Sequence, residues 1–209
     1  MPLCARRGYD VQQLIDDIAE AVRAVDRCGT PFKQFRAGAG PYGEPQLVKL
    51  IAQHLEATHA DRYSGIRTAR VPDVLVPTQW ALEFKIARPF GDNDKEAEHW
   101  SQNLLHPYAG NVSAISDALK LMDWNGGEKC GIIVVAYEHN PPRIDVSTLV
   151  SAFEMLCREL LKVPLGSRHV KVLEGCVHPV HQKATIFGWE LVKSRGSTQA
   201  DAGFPAPTP

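Results

Sequence analysis

The chain has no excess of either charge: 23 Lys and Arg face 24 Asp and Glu, so any surface for nucleic acid has to be local. It has no CxxC pair. Cys4, Cys28, Cys130, Cys157 and Cys176 are scattered and odd in number, which speaks against a disulfide framework and for a reducing, cytoplasmic setting. No run approaches the length of a membrane span, and the opening MPLCARRGYD lacks an apolar signal core, so neither membrane insertion nor export is expected. With 44% hydrophobic and 22% charged residues over 209 positions, the composition is that of a globular protein. The length suits one domain, residues 1–193, before a polar, Pro-rich tail, 194–209, expected to be disordered.

A familiar motif also drops out. RAGAGPYGEPQ contains GxGxxG at Gly38, Gly40 and Gly43, but a dinucleotide fingerprint needs a strand before it. Here GTPFKQF is a poor strand, and Pro41 removes one amide from any phosphate cradle.

The informative stretch is residues 71–85, VPDVLVPTQWALEFK. VPDVLV and WALEFKI have strand composition and are separated at Pro77 and Thr78, which predicts an antiparallel hairpin. Alternation puts Glu83 and Lys85 on one face and Leu82, Phe84 and Ile86 on the other. A two-residue loop would pair Val76 with Gln79 and leave Asp73 opposite Leu82. A three-residue loop would pair Val76 with Trp80 and set Asp73 across from Glu83. The odd loop, or a bulge, is the expectation, because two facing carboxylates suit a cation between them.

Mg²⁺ takes hard oxygen ligands, and Asp73, Glu83 and the Phe84 carbonyl supply them; Mn²⁺ would also fit. Lys85, one place along the same face, suits a role in holding the attacking water or stabilising charge on phosphate. Pro72-Asp73, nine residues, then Glu83-Phe84-Lys85 resembles the PD-(D/E)XK nuclease superfamily, the restriction-endonuclease-like fold. The resemblance implies an α/β fold of mixed sheet with a helix, three strands, a helix and a strand as its core. It also implies an acidic residue from the preceding helix at the metal, which here would be Glu44, and a homodimer that cuts DNA. The competing reading of Glu44 is that it only favours a helix N-terminal dipole.

The chain supplies that order of elements. Apolar spacing predicts helices over 10–27, 46–57 and 112–122, a short first strand near 63–68 and a buried strand from Gly131. A further helix, 147–162, and strands 169–177 and 183–192 would extend the sheet or form a dimer surface. Arg62, Arg67, Arg70, Lys85 and Arg88 crowd the expected site. The insert 88–111 should emerge at its mouth, with Lys95, His99, Trp100, Gln102, His106, Tyr108 and Asn111 as substrate contacts. Gln102 and Tyr108 resemble a Gln and Tyr found after the ExK strand in some superfamily members, although their six-residue separation departs from the usual four. Asp92 and Asp94 read as solvated turn residues, because no Glu completes a calcium loop. Cys176, His178 and His181 invite zinc, yet no second ligand pair with finger spacing follows and strand alternation would part some of them.

The function this predicts is a Mg²⁺-dependent endonuclease acting on DNA in restriction or repair. Alternatives are a catalytically inactive protein of the same fold that binds nucleic acid or a protein, and an unrelated enzyme working through His106 or the Cys176 cluster.

Overall fold

The computed structural model describes residues 10–106 and 113–192. Tyr108, Asn111, Cys4 and the tail 194–209 lie outside the described residues. Helix α1 (Val11–Arg27) forms where the apolar spacing predicts it, and Asp10 caps it by accepting from the Gln13 amide at 2.8 Å. Helix α2 (Glu44–Thr58) begins two residues earlier than expected, with Pro45 in its first turn, where a missing N–H leaves nothing unsatisfied. The predicted strand near 63–68 is mostly not a strand. Ala60–Tyr63 forms a helical turn, α3, and only Arg67–Thr68 pairs, as β1. Asp17, buried on α1, explains this: it accepts from the Tyr63 hydroxyl at 2.7 Å and from Arg62 Nε and Nη2 at 3.0 Å each, which pins the turn to the helix. Arg62 therefore stands with Asp17, not at the expected site.

Strands β2 (Val74–Val76) and β3 (Trp80–Ala87) form the expected hairpin. Val76 pairs with Trp80 and Val74 with Leu82, so the three-residue loop is the one adopted. The Gln79 amide closes it on the Val76 carbonyl at 3.0 Å, with Thr78 at φ 64°. Short helix α4 (Gln102–Leu105) and α5 (Ala114–Met122) follow, then β4 (Lys129–Glu138), parallel to β3. Helix α6 (Val146–Met155) runs on as a π turn, Leu156–Leu160. Strands β5 (His169–Glu174) and β6 (Lys183–Leu191) extend the sheet, which answers the question the sequence left open for them.

The result is a mixed α/β architecture around a six-stranded sheet ordered β1-β2-β3-β4-β6-β5. Leu14, Ile18 and Val22 of α1 and Leu47 and Ile51 of α2 pack on one face with Phe84, Ile86 and Ile133. Ile115, Ala118 and Leu121 of α5 and Val150 and Phe153 of α6 pack on the other with Ala81, Ala87 and Ile132. With helices on both sides, every residue of β3 is buried. Glu83 and Lys85 point to the α5 face, in a setting that tolerates charge only where it is paired.

Asp26, almost fully buried near the end of α1, fastens two distant loops. It accepts from the Ala39 amide and the Val177 amide at 3.0 Å each. Asp26→Ala leaves both amides unsatisfied, and chemical denaturation should show a loss of about 2 kcal/mol.

Candidate active site

The site is built where the sheet edge breaks. Strand β2 begins at Val74, and the register carried one place back along the chain sets Asp73 across from Glu83. Beyond that point β3 has lost its antiparallel neighbour, and side chains take over its outward amides. Phe84 donates to Asp73 Oδ2 at 2.8 Å, and Ile86 donates to Glu44 Oε2 at 3.2 Å. Asp73 and Glu44 thus replace the missing strand. Glu44 can do so because it is the first residue of α2, whose N-terminus arrives beside β3.

Lys85 is the hub. Its Nζ lies 3.0 Å from Glu44 Oε1 and 2.7 Å from Asp117 Oδ2, and donates to the Phe84 carbonyl at 2.8 Å. Asp117, almost fully buried on α5, also holds Lys120 Nζ at 2.7 Å. Burial alone would lower the Lys85 pKa, but the Glu44 and Asp117 carboxylates outweigh it and hold the ammonium above its ordinary value. Lys85 therefore stands here as a cation and a donor. Glu44 is raised, since its burial outweighs the pull of Lys85.

Glu83 has the opposite problem. Burial first, and then the Asp73 carboxylate, push its pKa up to about 9. A proton shared with Asp73 lets the two acids meet. Its Oε1 is buried and has no hydrogen-bond partner. An orphaned carboxylate oxygen beside a second carboxylate fits a divalent cation, and Mg²⁺ needs only one or two such ligands plus waters. The oxygens do not form a closed cage: among the described residues, the group that brings three ligand atoms within 4.8 Å of one another is Asp92, His178 and His181.

Asp73 opens onto a cleft of about 430 Å³ between Pro45, Val48 and Lys49 of α2, Thr68 of β1 and Arg70 of the β1–β2 connection. Arg70 therefore belongs to the site, and Lys49 joins it without having been expected. The other sequence candidates scatter. Arg88 Nη1 donates to the Gly40 carbonyl at 2.6 Å, and burial lowers its pKa. Gln102 Nε2 contacts His99 Nδ1 at 3.0 Å on the surface, and Lys95 is exposed, its amide donating to Asn93 Oδ1 at 3.1 Å. The carbonyl of His106 accepts from the Ser113 hydroxyl at 2.5 Å, a contact that anchors the start of α5.

Asp117 is the site residue that sequence reasoning missed. It lies three residues after Ala114 and four before Leu121, on the apolar side of α5. An acid at that spacing is a buried charge in search of a partner, and this was the available signal. Asp94 is exposed, as expected, and also binds His139 Nε2 at 2.7 Å and Arg143 at 2.9 Å. No family model, no curated protein and no solved structure matches the chain, so its chemistry has to be read from its own geometry.

Proposed function

We propose that the chain is a Mg²⁺-dependent phosphodiesterase acting on DNA, built on a restriction-endonuclease-like core. The observation that carries this is the Asp73–Glu83 pair, two facing carboxylates with one orphaned oxygen, at the open end of a cleft lined by Lys49 and Arg70. Asp73, Glu83 and the Phe84 carbonyl would hold the ion, with Glu44 beside it. The chemistry that Mg²⁺ or Mn²⁺ would supply there is polarisation of the phosphodiester and a lowered pKa for a bound water.

The chain's own groups then have separate tasks. Lys49 and Arg70 hold the anionic backbone in the cleft through charge. Lys85, fixed by Glu44 and Asp117, keeps a positive charge beside Glu83 that would stabilise charge developing on phosphate. Asp117 positions Lys85 and does not touch substrate. Cutting both strands of a duplex would call for two copies about a twofold axis.

The second reading is a non-catalytic protein of the same fold. What favours it is the commitment of the Lys85 ammonium to Glu44 and Asp117 instead of Asp73 and Glu83. Incubation of supercoiled plasmid with the wild type, Asp73→Asn and a chelator control separates the two. Metal-dependent nicking lost in Asp73→Asn supports the enzyme. Binding of DNA without any cleavage, in Mg²⁺ and in Mn²⁺, selects the second reading.

A further inference from the structure

A second cluster of metal-type ligands lies outside the carboxylate site, and it joins two segments far apart in sequence. The His178 and His181 side chains are almost fully buried, with ring centroids 4.6 Å apart and planes inclined by 22°. Asp92 closes the group, its Oδ1 standing 3.6 Å from His178 Nε2 and 3.8 Å from His181 Nδ1. All three atoms are buried and none has a hydrogen-bond partner. Three orphaned atoms within 4.8 Å of one another call for a common occupant.

The remaining ring atoms say which nitrogens are available. His181 Nε2 lies 3.0 Å from the Phe90 carbonyl, which can only accept, so Nε2 carries the proton and the Nδ1 lone pair faces Asp92. A lone pair aimed at a carboxylate is repulsive unless something positive or protic lies between. An imidazole whose other nitrogen donates to a backbone carbonyl is also the usual state of a metal-ligating histidine. His178 is less ready. Its Nδ1 accepts from the Val180 and His181 amides at 3.2 and 3.3 Å, which leaves the proton on Nε2. A ligand bond at Nε2 moves that proton to Nδ1 and gives up two long hydrogen bonds.

We propose that Asp92, His178 and His181 form a site for a late first-row divalent cation of the zinc class. Distance separates a cation from the simpler occupant, a water that bridges the three. Tetrahedral partners of a zinc ion lie about 3.4 Å apart, from metal–ligand bonds near 2.0–2.1 Å. Tetrahedral partners of a water lie about 4.6 Å apart, from hydrogen bonds near 2.8 Å. The 3.6 and 3.8 Å separations at Asp92 Oδ1 lie on the cation side of that range. Two imidazoles and one carboxylate also suit zinc better than magnesium or calcium, and leave a fourth position open. Asp92 lines a surface cleft of about 460 Å³ with Phe35, Arg36 and Asn93, which gives an ion a way in.

The glycine motif that fails as a phosphate loop has its explanation here. A Cβ on Gly40 would lie 2.2 Å from His181 Nδ1, and one on Gly38 2.9 Å from His178 Cβ. Backbone 38–40 is packed directly against the two histidines, and Asp26 fastens that loop to the segment at Val177. Cys176, grouped with the two histidines by sequence, is replaced by Asp92, 84 residues before it in the chain.

The test is titration of the full chain, first stripped with chelator, with Co²⁺ and with Zn²⁺, reading visible d–d absorption and the thermal midpoint. One Co²⁺ per chain with a tetrahedral-type spectrum is expected, together with a Zn²⁺-dependent rise in thermal midpoint. Asp92→Asn should weaken binding by about tenfold or more, and since Asp92 Oδ1 has no hydrogen-bond partner, its circular dichroism should match the wild type. Gly40→Ala, which pushes on the His181 ring, should weaken binding likewise. Absence of saturable binding would mean a water occupies the site and would overturn the proposal. Binding that survives Asp92→Asn but disappears in Glu83→Gln would also overturn it, placing the metal at the carboxylate pair.

Discussion

With chelator present at pH 8, Glu83→Gln is expected to be more stable than the parent, by on the order of 2–4 kcal/mol, and unable to cut DNA. In the unfolded chain the Glu83 carboxyl ionises near its ordinary 4.5, whereas in the fold it keeps its proton up to about 9. Folding therefore takes up a proton between those values, and stability falls as pH rises through that window. Below pH 4.5 the group is protonated in both states and has no effect; above about 9 the full penalty applies. Glutamine cannot ionise, and its amide can donate to Asp73 where the shared proton stood. Urea denaturation from pH 5 to 9 should show the stability gap between variant and parent widening with pH. A pH-independent gap, or a destabilised variant, would contradict the burial-driven shift. Gained stability with lost activity at one residue is what a functional site under strain produces.

Lys85→Met should act in the opposite direction, with a loss of about 3–5 kcal/mol. Its removal leaves Asp117, 2% exposed at the side chain, with Lys120 alone, and leaves Glu44 with only the Ile86 amide. Because the folded Lys85 pKa is raised, its contribution is complete below the ordinary 10.5 and is lost only as pH rises beyond it. The deficit should therefore be constant across neutral pH. Lys85→Met with Asp117→Leu should recover most of it, since a buried ion pair can be exchanged for apolar side chains at little cost. No recovery in the double variant would show that Asp117 does not act through Lys85. Inactivity of a Lys85 variant thus carries weight only beside a stability measurement.

The hairpin was legible because period-2 alternation and one chemical requirement, acid facing acid, chose between loop lengths. The pairing of Val76 with Trp80 follows that choice. Helix α1 and the β3 and β4 strands were legible from apolar spacing, and the resemblance pointed to Glu44 as an acid near Lys85's strand, although as a metal ligand and not as the partner of Lys85 that the structure shows. Tyr63 misled because β-propensity in a short segment yields to one buried hydrogen bond, here from its hydroxyl to Asp17. Asp92 was not legible at all. Its partners His178 and His181 lie more than eighty residues away, and no local spacing encodes a meeting between loops.

The proposed cation site at Asp73 and Glu83 is open to a direct binding test. Mn²⁺ binding followed by electron paramagnetic resonance, on the wild type, Glu83→Gln and Asp92→Asn, tests it directly. A binding event shared by the wild type and Asp92→Asn and missing from Glu83→Gln is expected. Wild-type Mn²⁺ affinity in Glu83→Gln would contradict it.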